Sequence, residues 1–197
     1  MQNKKIIVAD CETSGLWNRK EDYKHPSQPN IVSLCAHIYN DKREIINELN
    51  VIIKPEGYTI PVEASNIHGI TTEMAMDLGV NRKAALQMFI SMLSTCNLQV
   101  GHNYQGYDLN VLKANISRVS DKIEPIQLLD KIPIVDTQLV GTDLCKLPGK
   151  YGSYKWPKLM ELHKFLFNEE FSGAHGAKAD VLACAKCYYR MVDDKVI

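Results

Sequence analysis

Two acidic residues separated by a single position follow an apolar run near the beginning of the chain. Asp10 and Glu12 come directly after residues 6–9, which read Ile-Ile-Val-Ala. In an extended strand, residues i and i+2 point to the same side, so the two carboxylates would share one face. Like charges this close repel each other, and a divalent cation such as Mg²⁺, Mn²⁺ or Ca²⁺ would neutralise them. Taken alone, the pair is a weak signal, and a solvated strand end is the favoured interpretation.

A third carboxylate, Asp108, follows a short strand and opens a predicted helix. The segment before it, residues 101–107, reads Gly-His-Asn-Tyr-Gln-Gly-Tyr. A carboxylate in the first turn of a helix is favoured by the helix dipole, whether or not it binds a metal. Asp108 therefore has two interpretations of about equal weight, a helix cap and a metal ligand.

The last group of candidate residues lies near the end of the chain, where His175 precedes Asp180 by five positions. Asp180 shares a helical stripe with Ala183, Cys184 and Cys187, so its carboxylate is predicted to face the core. A buried carboxylate needs a partner or a cation. A histidine beside it is a candidate general base near neutral pH.

Together these residues are typical of phosphodiester hydrolysis. Four carboxylates that converge could bind two divalent ions about 3.5–4 Å apart. Such a pair of ions stabilises the attacking and leaving oxygens of an in-line displacement at phosphorus. A nearby histidine could accept the proton of the attacking water.

The hydrophobic pattern predicts the strands and helices that would position these residues. Predicted strands cover residues 5–10, 31–39, 44–53, 98–100 and 132–135. Predicted helices cover residues 62–68, 72–78, 82–95, 108–118 and 158–167, and a closing helix begins near His175 or Ala177. Hairpin-linked strands followed by strands alternating with helices imply an α/β fold, a mixed sheet with helices on both faces. Sites in such sheets lie beyond the carboxyl ends of the strands, where Asp10 and Asp136 are expected.

Composition limits the classes of protein to which the chain can belong. The chain has 197 residues and is 45% hydrophobic, which favours one globular domain over residues 1–197. Its formal net charge of zero argues against tight, indiscriminate coating of nucleic acid but leaves room for a local basic groove. The six cysteines lack the spacing of a disulfide framework or a zinc site, so we expect reduced thiols. No segment resembles a signal peptide or a membrane span, and we expect a cytoplasmic protein.

Five motifs of the chain resemble those of the DEDDh, or DnaQ-like, 3′-to-5′ exonucleases. They are residues 10–16, the pairs His102-Asn103 and Tyr107-Asp108, the block His175-x-Ala177-x-x-Asp180, residues 67–71 and residues 135–137. They span nearly the whole chain in the order of the family. Ser14 and Tyr107 are mild departures, where Thr and Phe are more usual. The loop at residues 17–30 is longer than in compact members, which puts the detailed contacts of the terminal nucleotide in doubt.

The resemblance implies an RNase H-like fold with a five-stranded mixed sheet and release of nucleoside monophosphates, with two Mg²⁺ or Mn²⁺ ions per active site. It implies four metal ligands, namely Asp10, Glu12, Asp108 and Asp180. It makes His175 the general base, and it implies that His175 and Glu12 are the catalytic residues. It also implies residues that contact the substrate or line the site, which are Thr13, Leu16, His68, Asn103 and Tyr107. For His68, a structural role in its turn is an equally good interpretation.

The substrate is expected to be the 3′ end of a single strand, with DNA favoured over RNA. Residues 146–158 hold four lysines and no acid, interleaved with Tyr151, Tyr154 and Trp156. Such a loop suits phosphates and bases, although its aromatic rings could instead pack into the core. An exoribonuclease resembling RNase T or oligoribonuclease, and a catalytically silent binding domain, are the alternatives. Association with a DNA polymerase and formation of a homodimer are left open.

Overall fold

A computed structural model describes residues 4–174 and 176–197. The chain forms one five-stranded sheet in the order β3-β2-β1-β4-β5. The strands are β1 (Ile6–Thr13), β2 (Ile31–Tyr39), β3 (Ile45–Ile52), β4 (Leu98–Gly101) and β5 (Ile134–Asp136). Strands β1, β2 and β3 pair antiparallel, whereas β4 and β5 run parallel to β1. The predicted mixed sheet of five strands is confirmed.

Helices cover both faces of this sheet. They are α1 (Val62–His68), α2 (Thr72–Leu78), α3 (Arg82–Leu93), α4 (Asp108–Val119), α5 (Glu124–Lys131), α6 (Thr137–Cys145), α7 (Leu159–Phe167) and α8 (Ala177–Asp193). Helices α3, α4 and α5 pack on the core face that receives Ile7, Ala9 and Cys11 of β1. Helix α8 packs on the opposite face, which receives Ile6 and Val8. Alternation along β1 therefore directs Asp10 and Glu12 toward the face that α8 covers.

Three expectations about the elements need correction. Strand β1 does not end at Asp10, because its pairing with β2 continues past Glu12 to a register shift between Glu12 and Thr13. Helices α5 and α6 were not predicted. Pro125 lies in the first turn of α5, where proline is tolerated because the N–H groups there need no helical acceptor. Gly141 interrupts the hydrophobic pattern of α6, and a Cβ at this position would lie 3.0 Å from Leu162.

The long loop at residues 17–30 is fixed to the fold rather than extended from it. The buried Gln28 side chain donates hydrogen bonds to the carbonyl groups of Asn18, Glu21 and Asp22. Arg118 of α4 donates to the Pro29 carbonyl at 3.1 Å. The loop therefore has a defined shape where it leaves the first acidic motif.

The cysteines agree with the expectation of reduced thiols, since all six are free. Within residues 4–174 and 176–197, no helix has both the length and the apolar character needed to cross a bilayer.

Candidate active site

Three carboxylates meet where β1 lies beside α8. Ligand oxygens of Asp10, Glu12 and Asp180 all lie within 4.8 Å of one another. Each of the three residues is partly buried, and each lines one of the two cavities described below. Among the described residues, this is the group that could hold a metal ion.

The positions of the three residues follow from local structure. Asp10 and Glu12 are two residues apart in β1 and share the α8 face of the sheet. Asp180 lies in the first turn of α8. Further along α8, Val181 and Cys184 are buried against Ile6 and Val8 of β1, which fixes the helix on the sheet. The period of two in the strand and the helical stripe thus bring the three carboxylates together.

Asp108 lies next to this group but outside it. Its Oδ1 atom accepts a hydrogen bond from the Cys11 N–H at 3.0 Å, which ties the start of α4 to β1 between Asp10 and Glu12. The N-cap residue of α4 is Tyr107, whose side chain makes no capping bond. Asp108 is almost completely buried and close enough to raise the pKa of Asp10. Its interaction with β1 joins residues 97 positions apart, and no local pattern in the sequence indicates it.

The carboxylates raise one another's pKa values. Burial raises the pKa of Glu12 to about 7, and the charge of Asp180 adds to this shift. Burial likewise raises the pKa of Asp108 to about 8, although the Cys11 N–H opposes the shift. The pKa of Asp10 lies well above its usual range because of burial first and then the charges of Asp108, Glu12 and Asp180. A divalent cation would relieve this repulsion, and oxygen ligands fit Mg²⁺ or Mn²⁺.

His175, the predicted general base, lies outside the described residues. Its neighbour Gly176 is the N-cap residue of α8, so His175 precedes by two positions the helix that carries Asp180. The predicted role of His175 therefore stays a prediction.

A cavity of about 480 Å³ opens on the Glu12 side of the carboxylates. It is lined by Glu12, Thr13, Leu16, His68 and Tyr107, among others. Leu16 is 89% exposed. An apolar side chain that exposed at the edge of a cavity can contact a ligand without being needed for the core.

Hydrogen bonds shape the wall of this cavity. The hydroxyl groups of Thr13 and Tyr107 contact each other, and both lie within hydrogen-bond distance of the Gly15 carbonyl, at 2.9 and 2.6 Å. His68 Nδ1 accepts from the Ile70 N–H at 3.1 Å, a bond internal to the turn between α1 and α2. Burial lowers the pKa of His68, and the backbone of Thr13 partly opposes that shift. His68 thus has a structural bond and also faces the cavity, so the structure supports both of its interpretations.

A second cavity, of about 610 Å³, opens beside Asp10 and Asp180. Its lining includes Asp10, Asp180, Asn103 and Lys158. Leu16 and Tyr107 line both cavities, so the two spaces adjoin, and each is lined by at least one carboxylate of the group. The residues of the second cavity that the sequence analysis did not single out are Gln138, Leu159, Met160, Phe171 and Ala174.

Asp136 positions the loop that carries Asn103. Its carboxylate accepts hydrogen bonds from the N–H groups of Asn103 at 2.9 Å, Gln105 at 3.0 Å and Gln138 at 3.0 Å. Asn103 has a φ of 58°, in the left-handed region, which these bonds help to maintain. Asp136 is thus a brace of the site, although its position after a strand also suggested a place in the site itself.

His102 is a second brace that sequence reasoning placed in a motif without giving it a role. Its Nε2–H donates to the Pro157 carbonyl at 2.9 Å, and its Nδ1 lies 3.0 Å from the Thr137 hydroxyl. Burial lowers the pKa of His102, which favours the neutral ring. The ring therefore links β4, the start of α6 and the segment before α7.

Solved structures of Escherichia coli exonuclease I resemble this fold. The structure in complex with a dT13 oligonucleotide has a TM-score of 0.74 and 21% identity, with 96% of this chain and 41% of that chain covered. The zinc-bound form of its complex with single-stranded DNA has a TM-score of 0.74 and 21% identity, with 98% and 41% covered. At this identity the likeness shows the fold alone, and this chain spans about two fifths of the length of exonuclease I.

No curated protein sequence matches the chain significantly. The exonuclease family model named for RNase T matches residues 7–188, which include all five motifs that resemble the DEDDh enzymes. The chain therefore belongs to the RNase T exonuclease family, of the DEDDh or DnaQ-like type within the RNase H-like superfamily.

Proposed function

We propose that this protein, acting as a single exonuclease domain over residues 1–197, hydrolyses single-stranded DNA from its 3′ end and releases nucleoside monophosphates. The observation that carries the proposal is the approach of Asp10, Glu12 and Asp180 to within 4.8 Å of one another beside two cavities. A catalytically silent binding domain would have no need to maintain this repulsive cluster.

The position of each residue in the site indicates its proposed role. Asp10, Glu12 and Asp180 hold divalent cations, with Asp108 behind them as a fourth ligand or as the brace of the strand. When bound, two Mg²⁺ or Mn²⁺ ions would stabilise charge on the attacking and leaving oxygens. We assign proton abstraction from the attacking water to His175.

The cavity on the Glu12 side has the features required to hold the terminal nucleotide. Leu16 offers an apolar surface for a base, and the backbone at Thr13 offers polar groups for the 3′-hydroxyl. His68, Asn103 and Tyr107 complete or brace the walls of the two cavities. This arrangement would leave the rest of the strand on the side of Asp10 and Lys158.

DNA is the preferred substrate in this proposal because the exonuclease I structures of the same fold contain dT13 and single-stranded DNA. Recognition of RNA would require a contact to the 2′-hydroxyl. DNA and RNA oligonucleotides of the same sequence, labelled at the 5′ or the 3′ end, test both the preferred sugar and the direction of hydrolysis.

With Mn²⁺, we expect 5′-labelled DNA to shorten one nucleotide at a time and 3′-labelled DNA to lose its label at once as a mononucleotide. A chelator should abolish both. Asp10→Asn, which keeps the shape of the side chain but removes a metal ligand, controls for contaminating nucleases. Faster loss of RNA would favour the exoribonuclease alternative, and full activity in the chelator would contradict the proposal.

A further inference from the structure

Residues 146–158, here called the basic hairpin, connect α6 to α7 and expose aromatic rings. Tyr151 is fully exposed, Trp156 is 57% exposed and Tyr154 is 48% exposed. The alternative that these rings pack into the core is therefore wrong. Residues 151–156 expose three aromatic rings, in a segment that has four lysines and no acid. Packing into the core does not explain why these rings are there.

The backbone of the basic hairpin has a defined conformation. Pro148 and Tyr154 form an antiparallel bridge. The Gly149 N–H donates to the Ser153 carbonyl at 2.9 Å, and the Lys155 N–H donates to the Leu147 carbonyl at 3.0 Å. A Cβ on Gly149 would lie only 2.6 Å from the Ser153 oxygen, so glycine is required for this close approach. Rings presented on a fixed backbone lose less conformational entropy when they bind a ligand.

The positive charge of the basic hairpin is only partly neutralised. Lys155 pairs with Glu161 of α7. Lys146, Lys150 and Lys158 have no ion-pair partner among residues 4–174 and 176–197. The chain has a net charge of zero, so this is a local excess of positive charge rather than a general property. Its complement is an anionic ligand.

The base of the basic hairpin is fixed to the wall of the candidate active site. The Pro157 carbonyl accepts hydrogen bonds from His102 Nε2 at 2.9 Å and from Gln138 Nε2 at 3.3 Å. The next residue, Lys158, lines the cavity that also contains Asp10 and Asp180. Two residues of extended chain span at most about 7 Å, so the Trp156 backbone lies within that distance of the cavity wall.

We propose that the basic hairpin binds the single-stranded nucleic acid that leads into the active site. Tyr151 and Trp156 would stack on bases, and the unpaired lysines would contact phosphates, the combination that binds single strands without regard to sequence. This inference rests on the proposed function for the identity of the strand. It adds a binding surface outside the carboxylate cluster and predicts that long strands are held better than short ones.

The binding test uses the full chain in the presence of a chelator, so that no hydrolysis occurs. Fluorescence anisotropy measures the affinity for a labelled oligothymidylate of about 15 nucleotides. The double variant Tyr151→Ala/Trp156→Ala should bind at least about tenfold more weakly. Lys150→Ala should reduce the slope of log affinity against log salt by about 0.7, the effect of one lost phosphate contact.

Matched controls are Phe165→Ala, an exposed ring on α7, and Lys42→Ala, in the turn between β2 and β3. Both should bind strands like the wild type. Wild-type affinity in the double variant would overturn the inference. That result would also be obtained if the exposed rings bind a protein instead of a strand.

A small substrate separates this inference from the proposed function. The p-nitrophenyl ester of thymidine 5′-monophosphate supplies a single nucleotide and no further bases to stack on Tyr151 and Trp156, so the double variant should hydrolyse it with Mn²⁺ as fast as the wild type. Loss of that activity would overturn the assignment of the rings to binding alone. A wild-type protein that cleaves neither the ester nor strands would overturn the proposed function, while the binding data would still decide the role of the hairpin.

Discussion

At the scale of single residues, the candidate site depends on carboxylates placed where their charges oppose one another. Asp10, Glu12 and Asp180 lie within 4.8 Å of one another, and Asp108 adds its charge from behind. In the metal-free protein this arrangement costs stability, because burial and mutual repulsion both disfavour the ionised forms. A cost of this kind is typical of functional sites, where it is offset by the ligand.

The first prediction concerns turnover. Asp180→Ala or His175→Ala should reduce hydrolysis of single strands with Mn²⁺ by orders of magnitude, because the first removes a proposed metal ligand and the second the proposed proton acceptor. Circular dichroism should show that both variants fold. Asp121→Ala, at an exposed carboxylate outside the five motifs, is the control. Near-normal hydrolysis by either variant would refute the role assigned to that residue.

The second prediction concerns pH. Glu12 has a pKa of about 7 in the folded protein against a usual value of 4.5, so between these values the folded state binds more protons than the unfolded state. Its contribution to the free energy of unfolding therefore falls as pH rises through this window. Glu12→Gln should stabilise the metal-free protein more at about pH 8 than at about pH 5.

Thermal unfolding of both proteins in a chelator measures this difference. The comparison with Glu12→Gln cancels the opposite effect of the histidines whose pKa values are lowered by burial. Added Mn²⁺ should raise the melting temperature of the wild type, and more so at the higher pH, because the cation competes with protons. An equal effect of the substitution at both pH values would be inconsistent with a raised pKa at Glu12.

At the scale of elements, the site depends on braces that hold its loops. Asp136 at the end of β5 accepts three backbone hydrogen bonds and thereby connects the segment after β4 to the start of α6. His102 connects the same region to Pro157. The cavity that contains Asp10 and Asp180 is lined by residues from each of these segments.

The third prediction follows from this brace. Asp136→Ala should lower the free energy of unfolding by about 3 kcal/mol or more, because three N–H groups lose a charged acceptor. Asp143→Ala, at an exposed position of α6, should change it by less than about 0.5 kcal/mol. Urea unfolding of both variants provides the comparison. Equal midpoints for the two variants would show that Asp136 is not a brace.

The sequence predicts most of the elements that carry the site, and the failures have physical causes. The period of two at Asp10 and Glu12 and the helical stripe at Asp180 are local patterns, and both are present in the structure. The bond from the Cys11 N–H to Asp108 joins residues 97 positions apart, so no local pattern could reveal it. Helix α5 was missed because Pro125 resembles a loop signal, although proline is tolerated in a first turn.

At the scale of the whole molecule, the cluster of three carboxylates forms only when the chain folds. Asp10 lies in the first strand and Asp180 in the last helix, and the packing of α8 on β1, β2 and β4 brings them together. A cation bound there would connect the two ends of the chain, so its binding energy would add to the stability of the fold. In the proposed function, a strand would reach the carboxylates through the cavity that Lys158 of the basic hairpin lines.

Titration of Mn²⁺ into the protein by calorimetry, above pH 7, tests the metal site most directly. The carboxylate geometry predicts that the wild type and Asp121→Asn bind Mn²⁺ alike, and that Asp180→Asn binds it at least about tenfold more weakly, as expected for the loss of a charged ligand. Equal Mn²⁺ affinity in the wild type and Asp180→Asn would contradict the assignment of Asp10, Glu12 and Asp180 as the metal site.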